Sequence, residues 1–291
     1  MNLERYLAER VRLVERALAR CVPPSREALR HAMRYSLLHG GKRIRPILTL
    51  AACEAVGAPA SRALPFACGI EMIHTYSLVH DDLPAMDDDA TRRGRPTSHV
   101  VYGDGMAILV GDALLTDAFG VMARAPLRPA TRVVAAIAAV ARAAGEHGMV
   151  GGQALDLSSE GKRVPLAGVQ RIHARKTGAL LAGAVQVGAL VGGASAARLK
   201  RLGEFGAQLG LAFQIVDDIL DVADTPEADG RTDQALGKAT YPEVLGIGGA
   251  KTHARRAEAA ALRALAPLGA AAEPLRAITR HVVARADVVP G

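Results

Sequence analysis

The chain has 291 residues, half of them hydrophobic, so it can bury a large core, and its formal net charge at pH 7 is +7. Aromatic residues make up only 3% and tryptophan is absent, whereas alanine and leucine are abundant. This composition favours helices over sheets. The basic residues are spread along the chain without an aromatic-interleaved stripe or a binding motif, which argues against a nucleic-acid-binding protein.

The three cysteines, Cys21, Cys53 and Cys68, are an odd number without C-x-x-C spacing. They indicate neither a disulfide framework nor a thiolate metal site, and a reducing cytoplasm is the simplest location. The charged first turns of the chain also differ from the apolar run of a signal peptide. We therefore predict a cytoplasmic protein.

One uncharged stretch, residues 178–197, is about long enough to span a bilayer. It consists mostly of small and aliphatic residues with Gln186 near its middle, so it is only weakly apolar for contact with lipid. We predict that it forms a buried helix packed through small residues. No stable insertion into a membrane is expected.

Apolar residues recur with helical spacing along most of the chain, and strict two-residue alternation is absent over any convincing length. No linker separates regions of different composition. These patterns predict an all-α bundle in a single domain, residues 1–291. Helices are predicted at residues 3–19, 27–38, 46–56, 63–82, 107–123, 129–147, 165–192, 197–221, 242–268 and 273–286.

Two clusters of aspartates each follow a strongly apolar stretch, and the first has five aspartates in the nine residues that start at Asp81. Carboxylates at the C-terminal end of a helix oppose its dipole, and crowded carboxylates are costly to bury without a cation. Pro84 should end the regular helix just after the first two aspartates. That local break decides whether Asp87 or Asp88 returns to the face of Asp81.

The second cluster lies at the end of the predicted helix 197–221. Its polar residues are spaced at i, i+3, i+4 and i+7, which predicts that they share one face above small and apolar residues. In the first cluster, His74 precedes Asp81 by seven residues and shares its face in the same way. The polar residues of the second cluster are Gln214, Asp217, Asp218 and Asp221.

Carboxylate oxygens without histidine or cysteine ligands favour Mg²⁺ over Zn²⁺. Mg²⁺ is usually bound by one or two carboxylates together with substrate phosphates and water. The alternative is that the aspartates merely lie in solvent at the ends of two helices. The unfavourable interaction of carboxylates with the helix dipole would then occur twice without a functional reason. The two clusters therefore predict magnesium binding.

Basic residues form a second group of candidates. Glycines let a backbone approach an oxyanion closely, arginine offers a planar fork for phosphate, and lysine offers a point charge. Each candidate has a plainer alternative: a turn between helices, neutralisation of the nearby aspartates, or, for His74, a position in the core. The candidates are the segment 40–46 (Gly-Gly-Lys-Arg-Ile-Arg-Pro), Arg92, Arg93, Lys176 and Thr177.

Metal-binding carboxylates that face phosphate binders above an apolar floor predict a substrate with a diphosphate head and a hydrocarbon tail. The floor suits a hydrocarbon because burial removes apolar surface from water. These residues do not by themselves choose between chain elongation, cyclisation and hydrolysis.

Several ordered motifs over about residues 38–245 resemble those of the trans-isoprenyl diphosphate synthases. The resemblance implies an all-α bundle of the isoprenoid synthase type with a central substrate cavity, and usually a homodimer. The motifs are Gly-Gly-Lys-Arg-Ile-Arg-Pro (40–46), Ile-His-Thr-Tyr-Ser-Leu-Val-His-Asp-Asp-Leu-Pro-Ala-Met-Asp (73–87), Arg-Arg-Gly (92–94), Lys-Thr-Gly (176–178), Phe-Gln-Ile-Val-Asp-Asp-Ile-Leu-Asp (213–221) and Leu-Gly-Lys-Ala-Thr-Tyr-Pro (236–242).

The resemblance also implies roles for individual residues. The metal would be Mg²⁺, as three ions when substrate is bound, with Mn²⁺ as the alternative. It would be held by Asp81, Asp87, Asp217 and Asp221. Catalytic roles would extend to Asp82, Asp218 and Lys176. Isopentenyl diphosphate would be bound by Lys42, Arg45, His74 and Arg93. The allylic diphosphate would be bound by Arg92, Lys176, Thr177, Gln214 and Lys238.

The implied reaction is ionisation of the allylic C–O bond, attack by the alkene of isopentenyl diphosphate, and proton loss to the departing diphosphate. In this family the residue five positions before the first aspartate helps to form the floor under the growing chain. Here it is Tyr76, followed by Ser77. This pair looks like that of the bacterial farnesyl diphosphate synthases, so we predict a C15 product, with geranyl or geranylgeranyl diphosphate as the alternatives.

Two segments depart from the family pattern. Residues 223–233 lack a lysine that relatives often carry after the second cluster, for which Arg231 is a possible substitute, and the C-terminus lacks the basic tail of some relatives. Two other kinds of protein are less compatible with this sequence. A terpene cyclase would replace the second aspartate cluster and line its pocket with aromatics, and a non-catalytic regulatory subunit would have lost one cluster. Both clusters are intact, which favours the enzyme.

Overall fold

Helices account for nearly all regular structure in the computed structural model, which describes residues 1–162, 164–223 and 240–289. The predicted all-α class is confirmed. The first seven helices are α1 (Leu3–Cys21), α2 (Ala28–Leu38), α3 (Ile44–Ala55), α4 (Ala60–Asp81), α5 (Ser98–Tyr102), α6 (Asp104–Ala123) and α7 (Ala130–Ala144). The next six are α8 (Met149–Ser159), α9 (Leu166–His173), α10 (Ala179–Gly192), α11 (Ala196–Ala223), α12 (Tyr241–Leu265) and α13 (Glu273–Ala284).

A two-stranded antiparallel hairpin joins α4 to α5, with β1 (Thr91–Arg92) paired to β2 (Arg95–Pro96). The sequence did not predict it because each strand has only two residues. Arg93 and Gly94 form the turn, and both have positive φ, +55° and +70°. Two residues with positive φ match the twist of a tight hairpin. The hairpin thereby returns the chain toward the loop that precedes α3.

The core consists of three clusters of buried apolar side chains, and α10 contributes to two of them. Leu180 and Val187 face the cluster that contains α4 and α6, whereas Leu181 and Val185 face the cluster that contains α3 and α11. A helix covered on several sides needs little polar surface. The buried helix predicted within 178–197 is confirmed over Ala179–Gly192, but it ends there because Gly193 adopts a left-handed conformation, and α11 begins at Ala196.

Small residues allow close approach of the neighbouring helices to α10. A side chain at Gly188 would overlap the carbonyl group of Thr49 on α3, and one at Gly183 would overlap Ala143 on α7. The backbones therefore pack closely because these positions lack a Cβ atom. This close packing places α10 at the centre of the bundle.

Helix ends differ from the predictions mainly where glycine or backbone geometry intervenes. The predicted helix 129–147 ends at Ala144, because Gly145 follows, and helices α5 and α8 were not predicted. The predicted helix 165–192 contains a π-helical turn at Ala174–Gly178, which joins α9 to α10. Single π-helical turns inside α-helices often occur at functional sites. This turn contains two of the predicted site residues.

Candidate active site

A cavity of about 410 Å³ lies between α4, α8 and the π-helical turn. Its volume falls within the range of roughly 300–1,000 Å³ that is typical of small-molecule sites. Charged and apolar side chains share its wall, the latter including Met149, Val150 and Leu157. The predicted site residues that line it are Arg45, His74, Tyr76, Ser77, Asp81, Lys176 and Thr177.

The first acidic cluster forms where α4 ends at Asp81. The chain then folds back, and the Asp87 amide donates a hydrogen bond of 2.9 Å to the Asp81 carbonyl oxygen. Burial raises the pKa of Asp81 to about 6, and the negative charge of Asp87 adds to this effect whereas Lys176 opposes it. Asp88 has φ of +54°, and its amide bonds to Leu83. This geometry favours Asp87 over Asp88 as the companion of Asp81.

Asp82 occupies a different environment from its neighbour Asp81. Its side chain is buried and accepts a hydrogen bond of 2.7 Å from Arg92 Nε, while Arg92 also reaches Asp89 at 3.4 Å. In this structure Arg92 therefore neutralises aspartates of the first cluster, which is the plainer of its two interpretations. The catalytic role of Asp82 and the substrate contact of Arg92 stay predictions.

The second acidic cluster divides between two environments on α11. Asp217 lies 3.7 Å from the Arg285 guanidinium, and burial raises its pKa to about 6 although Lys42, Arg285 and Arg45 counteract the shift. Asp221 follows one turn later and is half-buried. The side chain of Asp217 is 40% exposed, in contrast to the fully buried side chain of Asp218.

Asp218 is 1% exposed and anchors the beginning of α12. Its two oxygens accept hydrogen bonds from the Tyr241 amide, at 2.9 Å, and from Gln214 Nε2, at 2.8 Å. His173 lies 3.7 Å away, and its ring faces that of Tyr241. The four polar residues predicted to share one face of α11 are therefore not equivalent, because Asp218 is bonded to the start of α12. Its assignment as catalytic stays a prediction.

The basic residues predicted to bind isopentenyl diphosphate meet at the start of α3. Arg45 Nη1 lies 3.2 Å from His74 Nε2. Burial, followed by the charge of Arg45, lowers the pKa of His74 well below its usual range, so the ring is neutral and accepts this hydrogen bond. Arg93 Nη1 donates to the Gly40 carbonyl oxygen at 2.5 Å, and Lys42 is exposed. Lys42 thus lies in the loop before α3, and Arg93 is bonded to that loop at Gly40. Arg45 lies in the first turn of α3, next to His74 of α4.

Lys176 projects from the π-helical turn and forms an ion pair of 2.5 Å with Asp156 of α8. A side chain at Gly152 would overlap the backbone of Lys176, so a glycine is required where α8 crosses the turn. Gln153, also on α8, lines the cavity. Gln153 and Asp156 were not predicted as site residues because α8 was not predicted. Their spacing of three residues, which suits one helix face, was the signal available in the sequence.

The donor chemistry of the site fits magnesium. Within residues 1–162, 164–223 and 240–289, no three Asp, Glu, His or Cys side chains are gathered closely enough to hold an ion by themselves. The carboxylate oxygens of Asp81 and Asp217 are of the kind that Mg²⁺ takes, usually one or two together with substrate phosphates and water. Two predicted features lie outside the described residues. One is the allylic contact of Lys238, and the other is the altered loop 223–233 with Arg231, of which only the backbone of residue 223 is described.

Comparison with known proteins identifies the family. A model of the polyprenyl synthetase family matches residues 26–266. The chain is 49% identical over 261 residues to a farnesyl diphosphate synthase of Geobacillus stearothermophilus, with 86% of this chain and 87% of that protein covered. It is also 49% identical over 252 residues to a geranylgeranyl diphosphate synthase of Cyanophora paradoxa, with 84% of each protein covered.

A solved structure gives the same result for the fold. The chain matches an FPP/GFPP synthase from Zymomonas mobilis with a TM-score of 0.88 and 36% identity, covering 97% of this chain and 99% of that chain. The molecule is therefore an isoprenyl synthase in fold. The chain belongs to the polyprenyl synthetase family and is a prenyltransferase.

Proposed function

We propose that the protein condenses isopentenyl diphosphate with dimethylallyl or geranyl diphosphate to give farnesyl diphosphate, a C15 product. The observation that carries this proposal is the shared wall of the 410 Å³ cavity. Lys176 and Arg45 supply positive charges suited to diphosphates, and Asp81 supplies a carboxylate suited to a metal ion. Tyr76 and Leu157 supply apolar surface suited to a hydrocarbon tail. A relative of 49% identity that bears the name farnesyl diphosphate synthase supports it.

The proposed reaction needs no protein nucleophile. The allylic C–O bond breaks with its electron pair leaving on diphosphate, the alkene of isopentenyl diphosphate forms the new C–C bond, and the departing diphosphate takes the proton. Lys176 and Arg45 bind and orient the two diphosphates, so that the reacting carbons are held together. The apolar wall keeps water from the cation.

Magnesium is the proposed cofactor, with Mn²⁺ as a substitute. Asp81, Asp87, Asp217 and Asp221 would hold it, and the bound ions would stabilise the charge that develops on the departing diphosphate. The raised pKa values of Asp81 and Asp217 support this assignment, because each carboxylate is held in surroundings that disfavour its charge.

Tyr76 is the proposed determinant of product length. Its side chain is 7% exposed, lines the cavity, and packs edge-on against the His80 ring, with 5.7 Å between ring centroids. His80 in turn lies against Gly111 of α6, where any side chain would overlap the ring. Tyr76 is therefore supported from behind and cannot swing away easily. Geranylgeranyl diphosphate is the second candidate product, since relatives of equal identity bear that name.

We expect the purified chain to form C15 product from labelled isopentenyl diphosphate and either dimethylallyl or geranyl diphosphate, and only with Mg²⁺ or Mn²⁺ present. Incubation with each primer, with and without EDTA, followed by chromatography of the dephosphorylated products, measures activity and chain length together. Dominant C20 product would replace the farnesyl assignment by the geranylgeranyl one. Lack of any condensation with every primer would overturn the proposed activity.

A homodimer is the proposed assembly, and α5 with the beginning of α6 is its proposed surface. Val100, Val101, Ile108 and Leu109 are each between 44% and 53% exposed, and they form neighbouring apolar positions on these two helices. By length and composition α6 could also cross a membrane, but the core helix of a soluble protein passes the same test. We prefer a second copy as the occupant because the family is usually homodimeric.

The three cysteines are free, in agreement with the proposed cytoplasmic location.

The dimer surface predicts that Leu109→Glu converts the protein to a monomer. A charge placed at the centre of an apolar interface must be desolvated without a partner, which opposes association. Light scattering coupled to gel filtration should give twice the 30.3 kDa chain mass for the wild type and the single mass for the variant. Val288→Glu is the matched control, because Val288 is 75% exposed but lies near the C-terminus. A dimeric Leu109→Glu variant would contradict the assigned surface.

A further inference from the structure

The three basic residues of the segment 40–46 do not share one role in the structure. Lys42 is exposed, and Arg45 reaches His74 and the cavity. Arg43, which lies between them, is 3% exposed and points into the protein. The sequence grouped all three as candidate phosphate binders, so Arg43 requires a different explanation.

Every nitrogen of the Arg43 guanidinium has a protein acceptor. Nη1 donates to Glu71 of α4 at 2.7 Å, and Nη2 donates to the Leu37 carbonyl oxygen of α2 at 2.7 Å. Nε donates to Glu15 of α1 at 3.3 Å. The Arg43 and Glu71 side chains are only 1% and 3% exposed. A diphosphate in the cavity therefore cannot be bound by Arg43, whose donors already bind three different helices.

The backbone at Arg43 needs such support. Its φ of +48° lies in the left-handed region, which is unfavourable for a residue with a side chain, and it is the N-cap residue immediately before α3. Gly40 and Gly41 before it also have positive φ. Strained backbone persists where the surrounding structure holds it in place. The direction in which α3 leaves this loop, and with it the position of Arg45, depends on Arg43.

Glu71 and His74 are three residues apart on α4, so they lie on the same face about one turn apart. Arg43 binds the first of them and Arg45 contacts the second. Two parallel contacts therefore fix the start of α3 against one face of α4. The charge of Glu71 also offsets the positive charges crowded at Arg45 and Arg93.

We propose that Arg43 and Glu71 form a positioning pair, which sets Lys42 and Arg45 for isopentenyl diphosphate without contacting that substrate. The inference rests on the proposed function, since it assigns the Lys42, Arg45, His74 and Arg93 group to isopentenyl diphosphate. A pair that serves stability alone would affect both substrates equally or neither. A positioning pair affects the affinity for isopentenyl diphosphate and leaves that for the allylic substrate nearly unchanged.

The variant that tests this pair must avoid an unpaired buried charge. Removing one partner of a buried ion pair is strongly destabilising, whereas replacing both partners by apolar residues of similar size is often neutral. The double substitution Arg43→Met/Glu71→Met is therefore the main variant, and Arg43→Lys, which keeps the charge but has a smaller reach, is the second. The matched control is Arg10→Met/Glu54→Met, which removes an ion pair of 2.5 Å between α1 and the end of α3 opposite to Arg45.

Steady-state kinetics with each substrate varied in turn, together with thermal melts, give the result. We expect the Arg43/Glu71 double variant to raise KM for isopentenyl diphosphate about ten- to a hundredfold, because small displacements of binding groups have effects of this order. KM for geranyl diphosphate should change less than about twofold, a free-energy change well below that of a tenfold effect. Arg43→Lys should give a smaller rise in KM for isopentenyl diphosphate, and the control pair should give none.

Normal KM for isopentenyl diphosphate in a folded double variant would overturn the inference. If the double variant does not fold, Arg43→Lys decides, and an unchanged KM in that variant has the same meaning. An equal rise of both KM values would also overturn it, since it would indicate general disruption. Failure of the proposed function is a separate result, because the wild-type chain would then consume no isopentenyl diphosphate with any primer.

Discussion

Asp81→Asn and Asp217→Asn should each lower kcat/KM by about a thousandfold while the fold is retained, an effect of the order seen when one group that stabilises developing charge is removed. Both residues are proposed metal ligands, and asparagine keeps the side-chain shape but removes the charge that attracts Mg²⁺. Steady-state condensation of isopentenyl diphosphate with geranyl diphosphate measures the loss. Turnover close to that of the wild type in either variant would remove the metal assignment.

The Asp81→Asn variant should not lose stability at pH 7.5. The pKa of Asp81 is raised from 3.8 to about 6 in the folded chain, so its proton is held more tightly there than in the unfolded chain. The unfavourable free energy of its charge is therefore fully present above pH 6 and is relieved as the pH falls toward 4. Thermal melts should show Asp81→Asn at or above the wild-type melting temperature at pH 7.5, with the difference shrinking as the pH is lowered through this window.

The neighbour of Asp217 supplies the contrast for these melts. Asp218 accepts hydrogen bonds from the Tyr241 amide and Gln214 in a fully buried position. In Asp218→Asn one acceptor oxygen is lost, so the free energy of unfolding should fall by about 1–3 kcal/mol, the usual effect of leaving a buried donor unsatisfied. Equal stability of Asp217→Asn and Asp218→Asn in urea unfolding would contradict the different roles assigned to these adjacent residues.

Tyr76→Ala should make C20 or longer diphosphates the main products. The Tyr76 ring lines the cavity and is supported by His80, so its removal extends the space available to the hydrocarbon tail. Chromatography of dephosphorylated products formed from geranyl diphosphate and excess isopentenyl diphosphate measures the shift. Loss of a large buried ring also destabilises proteins by about 3–5 kcal/mol, so the assay should be run at low temperature.

Two further variants separate product length from general damage. Tyr76→Phe keeps the ring and should keep the C15 product, whereas Ser77→Phe adds a ring to a residue that lines the same cavity and should shorten the product toward C10. The opposite directions are informative, since simple destabilisation would not lengthen one product and shorten the other. Unchanged C15 product from Tyr76→Ala would show that another residue limits the chain.

The helices and the chemistry of the candidate residues were predictable from local sequence. Apolar residues at helical spacing indicated α4, α10 and α11, because burying one face of a helix requires that spacing. Pro84 correctly indicated that α4 ends near Asp81, because proline cannot continue the backbone hydrogen bonds of a helix. The hairpin at Thr91–Pro96 and helix α8 escaped prediction, since one is too short for a pattern and the other begins among glycines.

By itself, the sequence determined the helical class, the oxygen-rich acidic clusters and the basic segments, because residue type and spacing along the chain define them. Only the tertiary structure decided which member of each group is buried against a packed neighbour. Adjacent residues on a helix point about 100° apart, so Asp217 and Asp218 meet different neighbours, and only the packing of α12 shows which one is buried. Arg43 and Arg45 are separated in the same way, because Glu71 and His74 come from a helix that is distant in sequence.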